Sequence, residues 1–373
     1  MDEQWTTARD ARREAEAVVG GGARVLEPSA PAVAEPPFFA DDPVDATTAS
    51  PGPVVAPAGG TTSWSDWLAA HPDRADWAAE RWLAGPRRLP ADPGTEALAA
   101  TRTALHRLAA YVIAPARHAA TGRFGLRWTL GGFGTPFFTD ARTGGTGTSD
   151  TTGTGTGTTG TGTHTGGTGT GAGRDRQIRV VGTTLVDQRG GAGGEVRTTP
   201  ITTLADAAAF LDAAIAADVA AEHDTPPVGD RHEPLAPEPA AAAFLGAWFG
   251  MGVAALEALR ADPATVDPTR PQLWPGHFDP AIEAGDGDHR ASYGASPGDP
   301  ASGDRPYLYV SVWYPDRLAL DHSSPDGASP WNATAFTGSI LPLDRFPPGA
   351  DPASVALDFY TATRDRLDAT PLA

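Results

Sequence analysis

Between Ala240 and Leu256 the chain carries no charged residue, and Phe244, Trp248, Met251 and Ala255 recur there at helical spacing with Leu245, Phe249 and Leu256 beside them. An apolar stripe that wide leaves no polar face, so the helix it predicts has to be enclosed by the rest of the fold. A membrane span needs about 20 predominantly apolar residues, and this run is shorter and rich in Ala and Gly. The segment is therefore expected to be a core helix, and the chain a soluble protein with no membrane association.

Composition narrows the function classes. A chain of 373 residues with ten Trp and 40% hydrophobic residues can build a large core and is not wholly disordered. It has no Cys, which excludes disulfides, thiolate metal sites and cysteine nucleophiles. All 28 basic residues are Arg, so a P-loop lysine and a Schiff-base lysine are excluded too. The net charge of −18 argues against nucleic-acid binding, because a phosphate backbone would be repelled. The start Met1-Asp2-Glu3-Gln4-Trp5 has neither a basic region nor an apolar segment, so no secretory signal is expected and the expected location is cytoplasmic.

Along the chain, residues 1–60 read as a Pro/Ala-rich, largely disordered arm, and residues 61–373 as a single α+β domain. Ser63 with Asp66, and Pro72, mark two short helices bearing Trp67, Trp77 and Trp82. A longer helix is expected over 95–113, with Leu98, Leu105, Leu108 and Val112 on one stripe. Residues 143–173 are almost pure Gly and Thr and read as a flexible insertion. Thr203 is expected to cap a helix from Leu204 to about Ala221, and Asp351-Pro352 to open a last helix ending near Leu367. Strands are expected at 124–130, 178–186, 273–281, 291–294, 307–314 and 336–341. Runs of strands with helices between and after them predict an antiparallel β-sheet backed by helices on one face, with a mobile N-terminal arm.

The segments Arg102–His106 (RTALH), Arg127–Phe138 (RWTLGGFGTPFF), Leu273–Asp279 (LWPGHFD), Tyr293–Asp299 (YGASPGD) and Pro306–Val310 (PYLYV) resemble an uncharacterised protein family of actinobacteria. Together with Trp331-Asn332-Ala333 they are more distantly similar to a wider bacterial family of unknown function with the same order of elements. The resemblance covers roughly residues 95–370 and implies no activity; the Gly/Thr insertion departs from its pattern.

Two features stand out as candidate chemistry. From Ala97 to Thr139 there are five Arg (102, 107, 117, 123 and 127) and two His (106 and 118) without a carboxylate. Guanidinium forks bind carboxylate or phosphate in two-pronged fashion, and the same arginines could equally pair with the acidic C-terminal third. Second, strand alternation puts Tyr307, Tyr309, Ser311 and Trp313 on one face, and His277 with Asp279 on one side of theirs. Arg102, His106, Arg123, Arg127, His277, Asp279, Tyr307, Tyr309 and Trp313 are thus the candidate ligand-binding residues. The leading expectation is a small anionic or aromatic ligand in a sheet-face pocket. The alternatives are a structural or protein-interaction role, and an enzyme using His277 and Asp279 as an acid/base pair. No metal site and no cofactor are expected, since two ligands do not make a site. Gly294-Ala295-Ser296-Pro297-Gly298 matches a nucleophile elbow in letters only: Pro297 stands where a backbone N–H must serve an oxyanion.

Overall fold

A computed structural model describes residues 42–43, 54–55, 89–129, 131–140, 175–189, 195–219, 225–321 and 329–373. The N-terminal arm, the Trp-bearing helices of 61–88 and the Gly/Thr insertion lie outside the described residues. The exception is a two-residue antiparallel ladder, β1 (Asp42–Pro43) with β2 (Val54–Val55).

Helix α1 (Thr95–Leu108) buries Leu98, Leu105 and Leu108 along the expected stripe and runs on through a π-helical turn (Ala109–Ile113) into α2 (Ala114–Thr121). Pro115 cannot donate to the carbonyl four residues earlier and its ring crowds it; the wider turn ahead accommodates that proline. Gly122, at φ 70°, closes α2 by donating to the His118 carbonyl at 2.7 Å.

The fold is α+β and every strand pairing among the described residues is antiparallel; beyond the β1–β2 ladder the strands divide between two sheets. One sheet runs β3 (Arg127–Thr129), β4 (Gly132–Gly134), β6 (Asp175–Val181), β7 (Thr184–Arg189), β8 (Glu195–Pro200), and β5 (Phe138–Thr139) pairs with the start of β6. The strand expected over 178–186 is thus a hairpin turning at Gly182-Thr183, where Gly182 supplies the φ of 57° that a two-residue loop requires. Gly132 and Gly134 flank Phe133 in β4, and a Cβ on Gly132 would lie 2.2 Å from the Val180 carbonyl oxygen. One end of this sheet holds a buried ion network. Arg176 reaches Asp187 at 2.7 Å and Asp140 at 2.9 Å, and Arg189 and Arg197 also pair with Asp187. Burial pushes the Asp187 carboxyl up, but the guanidinium groups around it hold it below its ordinary value.

Thr203 caps α3 (Leu204–Leu211) as expected, its Oγ accepting from Asp206 N at 3.0 Å, but Asp212 turns left-handed and ends the helix there. The uncharged segment is α4 (Pro239–Ala261), opened by the Glu238 carboxylate accepting from Ala240 and Ala241. The second sheet is the meander β9 (Gln272–Trp274), β10 (Asp279–Ala284), β11 (Ala291–Ser296), β12 (Tyr307–Val312), β13 (Gly338–Pro342), followed by α5 (Pro352–Asp368).

Helix α4 is long and apolar enough to cross a membrane, yet most of it is buried, and it packs between the two sheets. Leu245, Trp248, Phe249, Met251 and Leu256 are at most 1% exposed. Full burial stabilises a Leu, Phe or Met side chain by about 1.5–3 kcal/mol each. Its glycines allow the approach: an added Cβ would meet Gly131 backbone at Gly246, the Trp128 ring at Gly250 and the Ala295 methyl at Gly252. The edge strands of the two sheets also touch, because Leu126 and Leu273 exchange backbone hydrogen bonds of 2.8 and 2.9 Å. That bridge makes a seam from residues distant in sequence.

Candidate functional site

The segment expected as one strand over 273–281 is a hairpin. Trp274 pairs with Asp279, and Pro275–Phe278 form its loop. Phe278 sits at φ 58° although its side chain is fully buried, a conformation costing on the order of 1–3 kcal/mol for a bulky residue. Its ring stacks on His106 with centroids 5.2 Å apart and takes edge contacts from Phe133 and Phe249. His106 Nε2 faces the carbonyls of Pro275 at 2.9 Å and Gly276 at 3.1 Å, which assigns it as the N–H donor to both. Burial drives the ring's pKa down to about 4, with smaller contributions from the charges of His277 and Arg102. His106 is therefore a neutral clamp on the hairpin.

His277 stands exposed on that turn, so it does not share a strand face with Asp279 as alternation had indicated. Asp279 itself is buried and accepts the Tyr309 hydroxyl at 2.6 Å. Burial raises its pKa, opposed by the charge of His277 and by the Tyr309 hydrogen bond. Register puts Gly294 between them, opposite both Ala281 and Tyr309, and a Cβ on Gly294 would lie 2.4 Å from the tyrosine ring. Phe336 packs edge-on against Tyr309, and the Tyr307 hydroxyl donates to the Asp299 carboxylate. The expected aromatic face of β12 is real, and its own side chains fill it. Trp313 lies at the far end, its indole N–H on Ser292 Oγ at 2.8 Å and its ring under Arg290.

An open groove of about 790 Å³ runs along α1, lined by Thr95, Ala99, Arg102, Thr103, Glu233 and Asp304, and a smaller one of about 530 Å³ lies at the start of that helix; neither is bordered by Arg127, His277 or Tyr309. The arginines of α1 are paired: Arg102 with Asp304, and Arg107 with Glu233, both at 3.2 Å. Gly294–Ser296 end β11 and no helix follows them: Ser296 Oγ accepts from Gly298 N at 3.1 Å and the Ser296 carbonyl from the Trp248 indole.

The remaining arginines gather at the seam. In the antiparallel register of the Leu126–Leu273 bridge Arg127 stands opposite Gln272, with Arg123 and Arg270 toward opposite ends of the contact, and the Gln272 side chain packs against Gly125. The Arg117 guanidinium, from α2, donates to the Gly125 carbonyl. Helix α4, whose Gly250 touches the Trp128 ring, carries Glu257 and Arg260 two to three turns further on, where Glu257 lies within the electrostatic reach of Arg270 and Arg127. Glu257 is 2% exposed and accepts from Arg260 at 3.1 Å. Burial raises the Glu257 pKa against the pull of Arg260, Arg270 and Arg127. Burial lowers Arg117 to about 10, and the nearby charges of Arg123 and Arg127 push the same way. Arg270 is lowered by burial and by Arg260, with Glu257 opposing. Among the described residues, no carboxylate forms an ion pair with Arg117, Arg123 or Arg270.

Of the nine candidate residues, Arg102, His106, His277, Asp279, Tyr307 and Tyr309 lie around the hairpin and the neighbouring end of the meander sheet, Arg123 and Arg127 lie at the seam, and Trp313 stands apart. Glu257, Arg260 and Arg270 escaped the sequence reading because the seam contact that unites them with Arg127 has no local signature; only the Arg excess around 97–139 pointed there. Comparison with protein-family models, curated proteins and solved structures gives no match.

Proposed function

We propose that the chain binds a small oxyanion, a phosphate or carboxylate ligand, at the arginine seam. The observation that carries this reading is the neighbouring Arg117 and Arg123, two guanidinium groups that form no ion pair with a carboxylate among the described residues, in a chain of net charge −18. Elsewhere the chain pairs its arginines: Arg102, Arg107, Arg176 and Arg364 each have an aspartate or glutamate. Clustered like charges repel one another, and an anion with two or more oxygens relieves that repulsion through charge-assisted, two-pronged hydrogen bonds. The filled face of the meander sheet supports moving the anion site here from the Asp279–Tyr309 region.

The test is thermal unfolding with millimolar phosphate or citrate against sodium chloride at equal ionic strength. The wild type is expected to gain a saturable rise in melting temperature, since a ligand at 100 times its Kd adds about 2.7 kcal/mol. An Arg117→Gln/Arg123→Gln variant is expected to lose that rise. Equal stabilisation of both proteins would mark general salt exclusion and overturn the reading.

A further inference from the structure

The two large sheets have four edges, and the chain itself closes three of them. The edges at β3 and β9 meet through the Leu126–Leu273 bridge. The Asn332 side chain covers β13, donating to the Ile340 carbonyl at 3.1 Å and accepting from its N–H at 2.7 Å. The fourth edge is β8, whose outward backbone groups have no partner among the described residues. We propose that β8 pairs antiparallel with β8 of a second copy of this chain, across a twofold axis at Val196, so that the first sheets of two molecules become one.

What the edge offers follows from its ladder with β7. The Ile201 N–H donates to the Thr183 carbonyl at 3.0 Å, one step beyond the Pro200–Thr184 pair. In an antiparallel strand the N–H and C=O of a residue point to the same side, and the side alternates along the chain. Glu195, Arg197 and Thr199 therefore bond toward β7, and Val196, Thr198 and Pro200 turn outward. Pro200, which lacks an N–H, takes nothing from the β7 ladder at that position. Glu195, Thr198 and Pro200 are exposed, and an open edge is a template for another strand.

Charge selects both the occupant and the register. Glu195 forms no ion pair among the described residues, while Arg197 bonds Asp187 and the Phe210 carbonyl through Nη2. With the axis at Val196, that residue exchanges both backbone hydrogen bonds with its own counterpart. Each Glu195 then stands opposite Arg197 of the other copy, whose Nε and Nη1 can donate to it. An axis at Arg197 would set two guanidinium groups against each other, and an axis at Thr198 would face the Val196 carbonyl with Pro200 and pair no charges. The strand is thus complementary to itself in one register, which is what a twofold contact demands.

A six-residue edge is a small contact, so the pairing belongs to the weak, reversible class. Sedimentation equilibrium of the full chain, from micromolar to near-millimolar concentration in about 0.15 M salt to screen the net charge, reads it directly. The wild type is expected to show a monomer–dimer equilibrium. Val196→Pro deletes the outward N–H at the axis and spares the β7 ladder, and Glu195→Arg sets like charges across it. Each variant is expected to raise the dimer Kd at least about tenfold, with the melting temperature of the dilute protein unchanged. A wild type that stays monomeric throughout, its edge solvated or reserved for another protein's strand, overturns the proposal, and so does a dimer that either folded variant preserves. Should Val196→Pro fold poorly, Glu195→Arg at its exposed position decides alone.

Discussion

Phe278 holds a left-handed backbone that bulky side chains avoid, and two neighbours keep it there: the aromatic cluster around its ring, and His106 donating to the carbonyls of Pro275 and Gly276. Both protonation states can donate those bonds, but burial makes the charged ring costly, so the folded chain holds His106 neutral. Its folded pKa of about 4 lies below its ordinary 6.5, so the folded chain binds fewer protons than the unfolded one in that window. The stability is present above pH 6.5 and is lost as pH falls through 4, by at most roughly 3 kcal/mol. Urea unfolding over this range should show a steeper fall for the wild type than for His106→Gln, whose amide donates without titrating; parallel curves would refute the clamp. Asp279 has the opposite sign. Its folded pKa is raised, so its extra stability is present below the ordinary 3.8 and is lost as pH rises through the folded value. Asp279→Asn is therefore expected to be as stable as the wild type or more so at neutral pH, whereas Tyr309→Phe costs about 1–3 kcal/mol by stripping a buried carboxyl of its hydroxyl donor. A strongly destabilised Asp279→Asn in the same urea experiment would show that the carboxylate form is the one the fold needs.

At the scale of elements, α4 shows how a residue's helix propensity yields to its packing. Ala is the better helix former than Gly by roughly 1 kcal/mol, yet a Cβ at Gly246 would lie 2.8 Å from the Gly131 backbone. Gly246→Ala is thus expected to lower stability by about 1–3 kcal/mol, read as a fall in melting temperature, and a rise would mean that the β3–β4 hairpin yields to the helix. In the sequence these glycines read only as poor membrane-helix character, because nothing local says which backbone will approach. The helices were largely legible: α1 and α4 follow from their apolar spacing, and α3 and α5 from Thr203 and Asp351 at their starts. The strands were less so. Apolar continuity across 178–186 hid the Gly182-Thr183 turn, and apparent alternation across 273–281 hid the Pro275–Phe278 loop in spite of its Pro-Gly. Each missed turn shifted the side-chain parity beyond it, which placed His277 beside Asp279 on a strand instead of on an exposed turn. Parity held for Tyr307 and Tyr309, where the strand is unbroken.

For the molecule as a whole, the arrangement of α4 decides whether the two sheets can open separately. The helix meets the first sheet through Gly246 and Gly250 at Gly131 and Trp128, and the meander through Gly252 at Ala295 and the Trp248 indole N–H on the Ser296 carbonyl at 2.9 Å. Neither sheet can shed α4 without exposing the other's core. The Leu126–Leu273 bridge adds a direct link, and the arginine seam lies on it, so an anion bound there stabilises both sheets together. The two sheets should therefore unfold as one cooperative unit. Native-state hydrogen exchange is expected to give the same opening free energy for amides of β6 and β7, such as Val180 and Val186, as for those of β11 and β12, such as Tyr293 and Val310. Trp248→Ala, which empties a fully buried site on α4, should cost about 3–5 kcal/mol and reduce protection equally in both sheets. Millimolar phosphate should then raise protection in both by the same amount. If Trp248→Ala strips protection from β11 and β12 while β6 and β7 keep theirs, the sheets are separate units. An anion at the seam would then act as a staple between them, strengthening a weak joint.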